Sequence, residues 1–114
     1  MHEYQITMQI IKIVEDYAGK NGVKRVKAVN LVVGEYSGFT ADSIKMYFDV
    51  YSSGTICENA RVNIETVKPM LRCKTCGNLF ERKPFEFNCT KEGCTGEGEP
   101  TEIGREFYIR SVEI

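Results

Sequence analysis

Four cysteines, arranged as two close pairs between residues 73 and 94, constrain the fold of this chain more than any other feature. The first pair is Cys73 and Cys76, and the second pair is Cys89 and Cys94, with twelve residues between the pairs. Two such pairs brought together by a turn supply the four thiolates of a tetrahedral structural zinc site. Two disulfides are the alternative interpretation. A closed shell of four sulfurs leaves no position for a substrate water, so the metal is expected to hold structure.

The turns around the cysteines fit this prediction. Gly77 follows Cys76 and Gly93 precedes Cys94, as expected for turns that need a positive φ. The second pair has four residues between its cysteines, where two are usual, which predicts a looser turn there. Residues 69–102 contain too few large apolar side chains for an independent core, so metal binding is expected to supply much of the folding free energy of this segment.

Two amphipathic helices are predicted in the first half of the chain. The first spans residues 5–20 and is expected to bury a stripe of apolar side chains at helical spacing. This stripe contains Ile6, Ile10, Ile11, Ile13, Val14, Tyr17 and Ala18. Thr40 is the predicted N-cap of the second helix, which runs to about Ser53. Its predicted inner face contains Ile44, Tyr47, Phe48 and Tyr51.

Three strands are predicted at residues 24–35, 61–67 and from 106 onward, because apolar residues alternate there. A change of phase near Ser111 predicts a β-bulge in the last strand. Because strand character returns after the cysteine-rich segment, that segment is predicted to be an insertion. The predicted fold class is α+β: a three-stranded sheet with two helices on one face plus an inserted zinc-binding lobe.

The predicted domain boundaries follow from this organisation. Residues 1–68 together with 103–114 form one α/β domain, and residues 69–102 form the zinc-binding domain. The exposed edges of a three-stranded sheet are able to pair, so both a monomer and a homodimer remain open.

Composition limits the classes of partner. Fifteen basic and sixteen acidic residues give a net charge of -1, which argues against nucleic acid. No apolar run approaches the ~20 residues of a membrane span, and no secretion signal is recognisable at the N-terminus. Paired thiols in a non-secreted chain predict a reducing compartment, so we expect a cytoplasmic protein. The fifth cysteine, Cys57, is expected to be a small buried apolar group.

The first three residues, Met1, His2 and Glu3, form a candidate chelator, and His2 is the single histidine. The imidazole and the backbone nitrogen of His2 close a six-membered ring on a metal, and the nitrogen of Met1 or Glu3 extends it. Such nitrogen-rich sets suit nickel(II) or copper(II) better than zinc or magnesium. The alternative is that His2 is an exposed terminal residue without a role.

Together, the Met1-His2-Glu3 start, the long first helix, Val32-Val33-Gly34-Glu35, Gly54-Thr55-Ile56 and the paired cysteines resemble the HypA-type nickel-incorporation metallochaperones. The resemblance implies a small cytoplasmic protein, not an enzyme, that carries one Ni(II) ion as cargo. It implies nickel delivery to the large subunit of [NiFe]-hydrogenase, or in some members to urease, with the help of a HypB-type GTPase. The implied nickel ligands are His2 and the backbone nitrogens of Met1 and Glu3. The implied structural Zn(II) ligands are Cys73, Cys76, Cys89 and Cys94.

Two other classes of function compete with this interpretation. A zinc-ribbon adaptor that binds nucleic acid or protein is suggested by basic residues around the first cysteine pair, although neighbouring glutamates dilute their charge. These basic residues are Lys68, Arg72, Lys74, Arg82 and Lys83. An enzyme is disfavoured, because the sequence contains no helical HExxH, no nucleophile beside a base and no glycine-rich phosphate loop.

Overall fold

The computed structural model describes residues 3–114; Met1 and His2, and with them two of the predicted nickel ligands, lie outside the described residues. The elements in chain order are α1 (Glu3–Lys20), β1 (Ala28–Gly34), α2 (Ala41–Tyr51), β2 (Arg61–Val67), β3 (Met70–Cys73), β4 (Leu79–Glu81), β5 (Gly98–Pro100) and β6 (Phe107–Glu113). None of the helices in this part of the chain is long and apolar enough to cross a membrane.

The first sheet has β1 at its centre, parallel to β2 and antiparallel to β6. Val29, Leu31 and Val33 point to the same face, because side chains alternate along a strand. This face packs in one core with buried residues of both helices, including Ile10 of α1 and Phe48 of α2. The predicted three-stranded sheet with two helices is therefore confirmed.

The predicted bulge in the last strand is also present. The pairing of β1 with β6 shifts register between Asn30, which is opposite Ser111, and Leu31, which is opposite Ile109. Arg110 is the extra residue in β6. The shift allows both Ile109 and Val112 to pack against the core despite their odd spacing.

The predicted inner face of α1 was partly wrong. Ile13 and Tyr17 are 56% and 55% exposed, whereas Thr7, Ile11 and Val14 are buried. Each residue turns the helix by about 100°, so Ile13 lies well away from Val14 around the axis. The apolar stripe is wider than the surface that the sheet and α2 together cover, and its outer edge remains in solvent.

The predicted N-cap of α2 is confirmed, because the Thr40 hydroxyl accepts a hydrogen bond from the Ser43 amide at 3.3 Å. The helix ends at Tyr51, slightly earlier than predicted, with Ser52 as its C-cap. At the other end of the helix pair, Tyr4 of α1 packs edge-on against Tyr51, with ring centroids 4.9 Å apart. This contact ties the first turn of α1 to the last turn of α2.

A second sheet lies between β2 and β6 in the chain, with β3 at its centre and β4 and β5 antiparallel on either side. We call residues 69–102 the metal lobe. Its buried core contains Leu71, Cys73, Phe80 and Cys89 and is separate from the core of the first sheet. Its strands were not predicted, because segments of three or four residues are too short to show alternation.

The two sheets meet at a tight backbone junction beside Gly34. The Tyr36 amide donates to the Gly104 carbonyl at 2.7 Å, and the Glu35 amide donates to the Val67 carbonyl at 2.9 Å. The guanidinium of Arg82 from the metal lobe lies 5.1 Å from the Tyr36 ring centroid. The hydrogen bonds therefore hold residues 35–36 against the two chain segments that lead into and out of the metal lobe, and the cation–π contact connects the two lobes directly.

Candidate metal centre

The structure brings the four predicted cysteines together. Cys73 ends β3, Cys76 lies in the turn after it, and Cys89 and Cys94 lie between β4 and β5. Their four sulfur atoms all lie within 4.8 Å of one another. The closest pairs are Cys73 with Cys94, at 3.6 Å, and Cys76 with Cys89, at 3.7 Å.

The sulfur spacing fits a metal and excludes disulfides. A tetrahedral zinc ion with Zn–S distances of about 2.3 Å requires ligand sulfurs about 3.8 Å apart. A disulfide requires an S–S distance of about 2.05 Å. The observed separations match the first value, and all five cysteines are free thiols.

Backbone amides surround the sulfurs and favour the thiolate form. The amides of Thr75 and Cys76 both donate to the Cys73 sulfur at 3.4 Å. The Lys91 amide donates to Cys89 at 3.4 Å, and the Gly96 amide donates to Cys94 at 3.5 Å. The sulfurs of Cys73, Cys89 and Cys94 thus each accept a hydrogen bond from the amide two residues further along the chain, although the spacing of the two pairs differs.

The predicted turn glycines are confirmed, since Gly77 has a φ of 76° and Gly93 a φ of 81°. The longer second pair is accommodated by a separate turn, in which the Cys94 amide donates to the Lys91 carbonyl at 3.0 Å. This turn accommodates the two additional residues between Cys89 and Cys94. It returns Cys94 to within reach of Cys73.

The ionisation of the metal-free cluster is uneven. Hydrogen bonds from the backbone amides of Cys76 and then Thr75 lower the pKa of Cys73 to about 6, although burial opposes them. The Gly96 amide lowers the pKa of Cys94, but hydrogen bonding to the sulfurs of Cys73 and Cys76 outweighs it and raises that pKa to about 11. Cys73 therefore ionises more readily than Cys94, and a divalent cation would displace the remaining thiol protons.

Two residues that support the cluster were not identified from the sequence. A Cβ on Gly96 would lie 2.5 Å from the Cys73 sulfur, so only glycine fits between the two cysteine turns. The Asn78 amide group donates to the Cys89 sulfur at 3.6 Å. The only sequence signal for either residue was its position two residues after a cysteine of the cluster.

Three of the basic residues near the first cysteine pair contact other side chains. Lys68 pairs with Glu81 at 3.4 Å, and Lys74 pairs with Glu97 at 3.6 Å. Arg82 lies over Tyr36, as described above. Two of the five positive charges are thus paired with carboxylates, which lowers the positive charge available to attract a phosphate backbone.

The fifth cysteine has the predicted character. Cys57 is fully buried in the core of the first sheet. Burial, with a smaller contribution from the charge of Glu15, raises the pKa of this thiol to about 11. A buried, protonated thiol is a poor nucleophile, which agrees with a packing role.

The third predicted nickel ligand, Glu3, is the first residue of α1 and is 8% exposed. It is followed directly by Tyr4, whose ring contacts both Tyr51 and Tyr47, the latter at a centroid distance of 6.3 Å. The beginning of the described chain is therefore anchored on α2. It belongs to the first sheet and its helices, and not to the metal lobe.

Comparison with known proteins places this architecture in a family. Residues 1–114 match the family model described as "Hydrogenase/urease nickel incorporation, metallochaperone, hypA". The hydrogenase maturation factor HypA of Caldanaerobacter subterraneus is 37% identical over 115 residues, covering 100% of this chain and 99% of the relative. The HypA of Lawsonia intracellularis is 36% identical over 117 residues, with the same coverage of both chains.

A solved structure supports the same assignment. The solution structure of the nickel metallochaperone HypA from Helicobacter pylori superposes with a TM-score of 0.64 and 26% identity, covering 100% of this chain and 97% of that chain. A helix-covered mixed sheet, an inserted four-cysteine lobe and full-length matches thus lead to one conclusion. The chain belongs to the HypA family of hydrogenase/urease nickel-incorporation metallochaperones, and it is a metal-handling maturation factor, not an enzyme.

Proposed function

We propose that the chain binds one Ni(II) ion through the nitrogens of Met1, His2 and Glu3 and delivers it during maturation of [NiFe]-hydrogenase. The observation that carries the proposal is the full-length family match, which includes the three N-terminal residues. The donor chemistry supports it, because amine, imidazole and amide nitrogens favour nickel over harder cations. Urease is the alternative client.

The structure around α1 is compatible with a terminal metal site. Because the helix begins at Glu3 and Tyr4 is held by the α2 tyrosines, His2 is separated from anchored structure by a single residue. A site at the end of a chain releases its metal by moving few packed groups. Such a site suits a protein that has to bind its cargo selectively and then give it up.

We further propose that Cys73, Cys76, Cys89 and Cys94 hold a structural Zn(II). Four thiolates are a soft ligand set, which excludes magnesium and calcium. The sulfur separations near 3.7 Å and the amide donors to the sulfurs support a closed tetrahedral site. The metal would link the turn after β3 to the turns before β5 and so stabilise a lobe with a very small core.

We infer a matching division into domains. Residues 1–68 with 103–114 form the nickel-binding domain, and residues 69–102 form the zinc-binding domain. The support is that each has its own sheet and its own buried cluster. The radius of gyration of 18.1 Å, against about 13 Å for a compact chain of this length, agrees with two bodies.

We also propose that the client is the hydrogenase large subunit and that a HypB-type GTPase assists the transfer, in the cytoplasm. Family membership implies partners in hydrogenase maturation, and these two are the specific candidates. Co-elution of the untagged chain with each candidate, with and without nickel, tests them separately.

The central experiment is nickel titration by calorimetry of untagged wild-type protein and the His2→Ala variant. His2 is the single histidine, so loss of one tight nickel site in the variant is attributable to that imidazole alone. Zinc content and the circular dichroism spectrum should be unchanged. A tight site that survived in His2→Ala would refute the assignment.

Two further variants test the contributions of Glu3 and Met1 individually. Glu3→Gln should retain nickel affinity, because the proposal uses the backbone nitrogen and not the carboxylate. A short extension before Met1 should weaken binding to the extent that the terminal amine is a ligand. Nickel affinity should also fall as the pH drops through ~6.5, where a free imidazole becomes protonated.

A further inference from the structure

The turn after β4 displays a phenylalanine where the backbone disfavours one. Lys83, Pro84, Phe85 and Glu86 form a β-turn, in which the Glu86 amide donates to the Lys83 carbonyl at 3.1 Å. Proline fixes a negative φ at the second position, and Phe85 has a φ of 64° at the third. This is the pattern of a type II turn, whose third position normally holds glycine or asparagine.

Packing does not explain the choice of residue, since Phe85 is 94% exposed. A large ring that is both backbone-strained and fully in solvent contributes nothing to the fold of this chain. Strain of this kind is concentrated at functional positions. Aromatic side chains, phenylalanine included, are also enriched in protein–protein interfaces.

The turn is held in place from both sides. Before it, the Arg82 amide donates to the Pro69 carbonyl at 3.0 Å. After it, the Gly98 amide donates to the Phe87 carbonyl at 2.7 Å, and Asn88 pairs with Glu97. Phe85 is therefore presented by a rigid hairpin, which lowers the entropic cost of using it in a contact.

A cavity of about 350 Å³ lies beside the ring. We call it the phenylalanine pocket, and it is lined by Phe80, Glu81, Phe85, Glu86, Phe87, Asn88 and Thr90. Three of these lining residues are phenylalanines, and the two charged ones are glutamates. Arg82 and Lys83 are adjacent in sequence but do not line it.

Both charged residues that line the pocket are acidic. Glu81 already has one partner, Lys68, at 3.4 Å, and its side chain remains 42% exposed. Among residues 3–114, the carboxylate of Glu86 has no ion-pair partner. Aromatic faces attract cations as well, so rings and carboxylates select for the same kind of ligand.

We propose that the phenylalanine pocket binds an arginine or lysine side chain of a protein partner. The aliphatic stem would lie against Phe85 and Phe87, and the cationic head would reach the carboxylates of Glu81 and Glu86. A free small cation would leave most of the Phe85 ring in water, whereas a protein surface around the bound side chain would cover it. A nucleic acid backbone carries the wrong charge for this site.

The proposal is tested by NMR titration of ¹⁵N-labelled, metal-loaded full-length protein with a capped pentapeptide that has one central arginine. The expected result is saturable shift changes confined to residues 80–90. The same peptide with citrulline, which has nearly the same shape and no charge, should cause none. Equal shifts from citrulline or leucine peptides, or no shifts from arginine, would overturn the proposal.

Variants of the pocket add a second criterion. Phe85→Gly removes the cation–π contact, and Glu86→Gln removes a carboxylate. Each should weaken arginine-peptide binding at least roughly two- to fivefold. Phe85→Gly should not lower the melting temperature, because glycine accepts a positive φ. The control Tyr108→Ala removes an exposed ring of β6 and should bind as wild type does.

Self-association is distinguished in the same experiment. Spectra of wild-type protein at several concentrations without peptide should superimpose over residues 80–90. Concentration-dependent shifts in this segment would mean that a second copy of the chain occupies the pocket, and the proposal would be wrong. None of these measurements requires nickel, so the result does not depend on the N-terminal assignment.

Discussion

Substituting Gly34 by alanine should destabilise the packing of β1 against the segment that returns from the metal lobe. A Cβ at this position would lie 2.1 Å from the carbonyl oxygen and 2.2 Å from the carbonyl carbon of Gly104, and 2.7 Å from the Arg105 nitrogen. All three are backbone atoms, so no side chain can rotate away to make room. The backbone of residues 104–105 has to move instead.

The magnitude follows from what this movement disturbs. Overpacking a closely packed position costs about 1–3 kcal/mol. Displacing Gly104 also weakens its 2.7 Å hydrogen bond from the Tyr36 amide, which contributes about 1 kcal/mol. Together these give a loss of about 3 kcal/mol, or roughly 12 °C in melting temperature for a chain of this size.

The assay is thermal and urea unfolding of metal-loaded protein followed by far-ultraviolet circular dichroism. The matched control is Gly19→Ala, because a Cβ there would meet nothing within 4 Å. Gly19 lies in α1, where alanine is the better helix former, so the control should be as stable as wild type or more so by up to ~1 kcal/mol. If Gly34→Ala melted together with its control, the close approach of the two backbones would not exist in solution.

Other predictions concern the remaining sites. Tyr51→Ala should weaken nickel binding several-fold in calorimetry without changing zinc content, because it removes the 4.9 Å ring contact that anchors α1; Tyr17→Ala, an exposed ring on the same helix, should not. Cys73→Ala should release zinc and disorder the metal lobe, seen as loss of dispersed amide signals from residues 69–102 only. Cys57 should react slowly with a thiol reagent at pH 8 in folded protein, because a pKa of about 11 leaves roughly one thiolate in a thousand. Its rate should rise with pH up to about 11, and fast reaction at neutral pH would contradict its burial.

The sequence predicted those elements that have enough residues to show a periodic pattern or a recognisable cap. The strand 61–67, the Thr40 cap and the bulge near Ser111 were all found, because each depends on local alternation or on a local hydrogen bond. The exposure of Ile13 and Tyr17 was missed, because periodicity shows which side of a helix is apolar but not how much of that side other elements cover. Coverage depends on tertiary packing, which sequence spacing does not contain.

In the candidate site, too, local sequence patterns were predictive and contacts between distant residues were not. Thiol spacing predicted the four-sulfur cluster, because a metal accepts only a small set of loop lengths. The contributions of Gly96 and Asn78 were not predictable, since both act on sulfurs that are distant in the chain. The sequence showed only that residues 69–102 contain few apolar side chains, and the positive φ and the exposure of Phe85 were recognisable only in three dimensions.

The chemistry of the two proposed metal sites explains how one small chain can keep one ion and give up another. Cys73 and Cys89 are buried, and amides and turns on both sides fix their sulfurs, so an ion leaving the cluster would break the packing of the lobe. We propose that release from the N-terminal nitrogen site requires only protonation of its ligands. The separate cores of the two lobes keep these events apart, so nickel can exchange while the metal lobe remains folded. We therefore attribute the proposed retention of zinc and delivery of nickel to the position of each ligand set in the fold. The affinity of sulfur or nitrogen for the metal contributes as well.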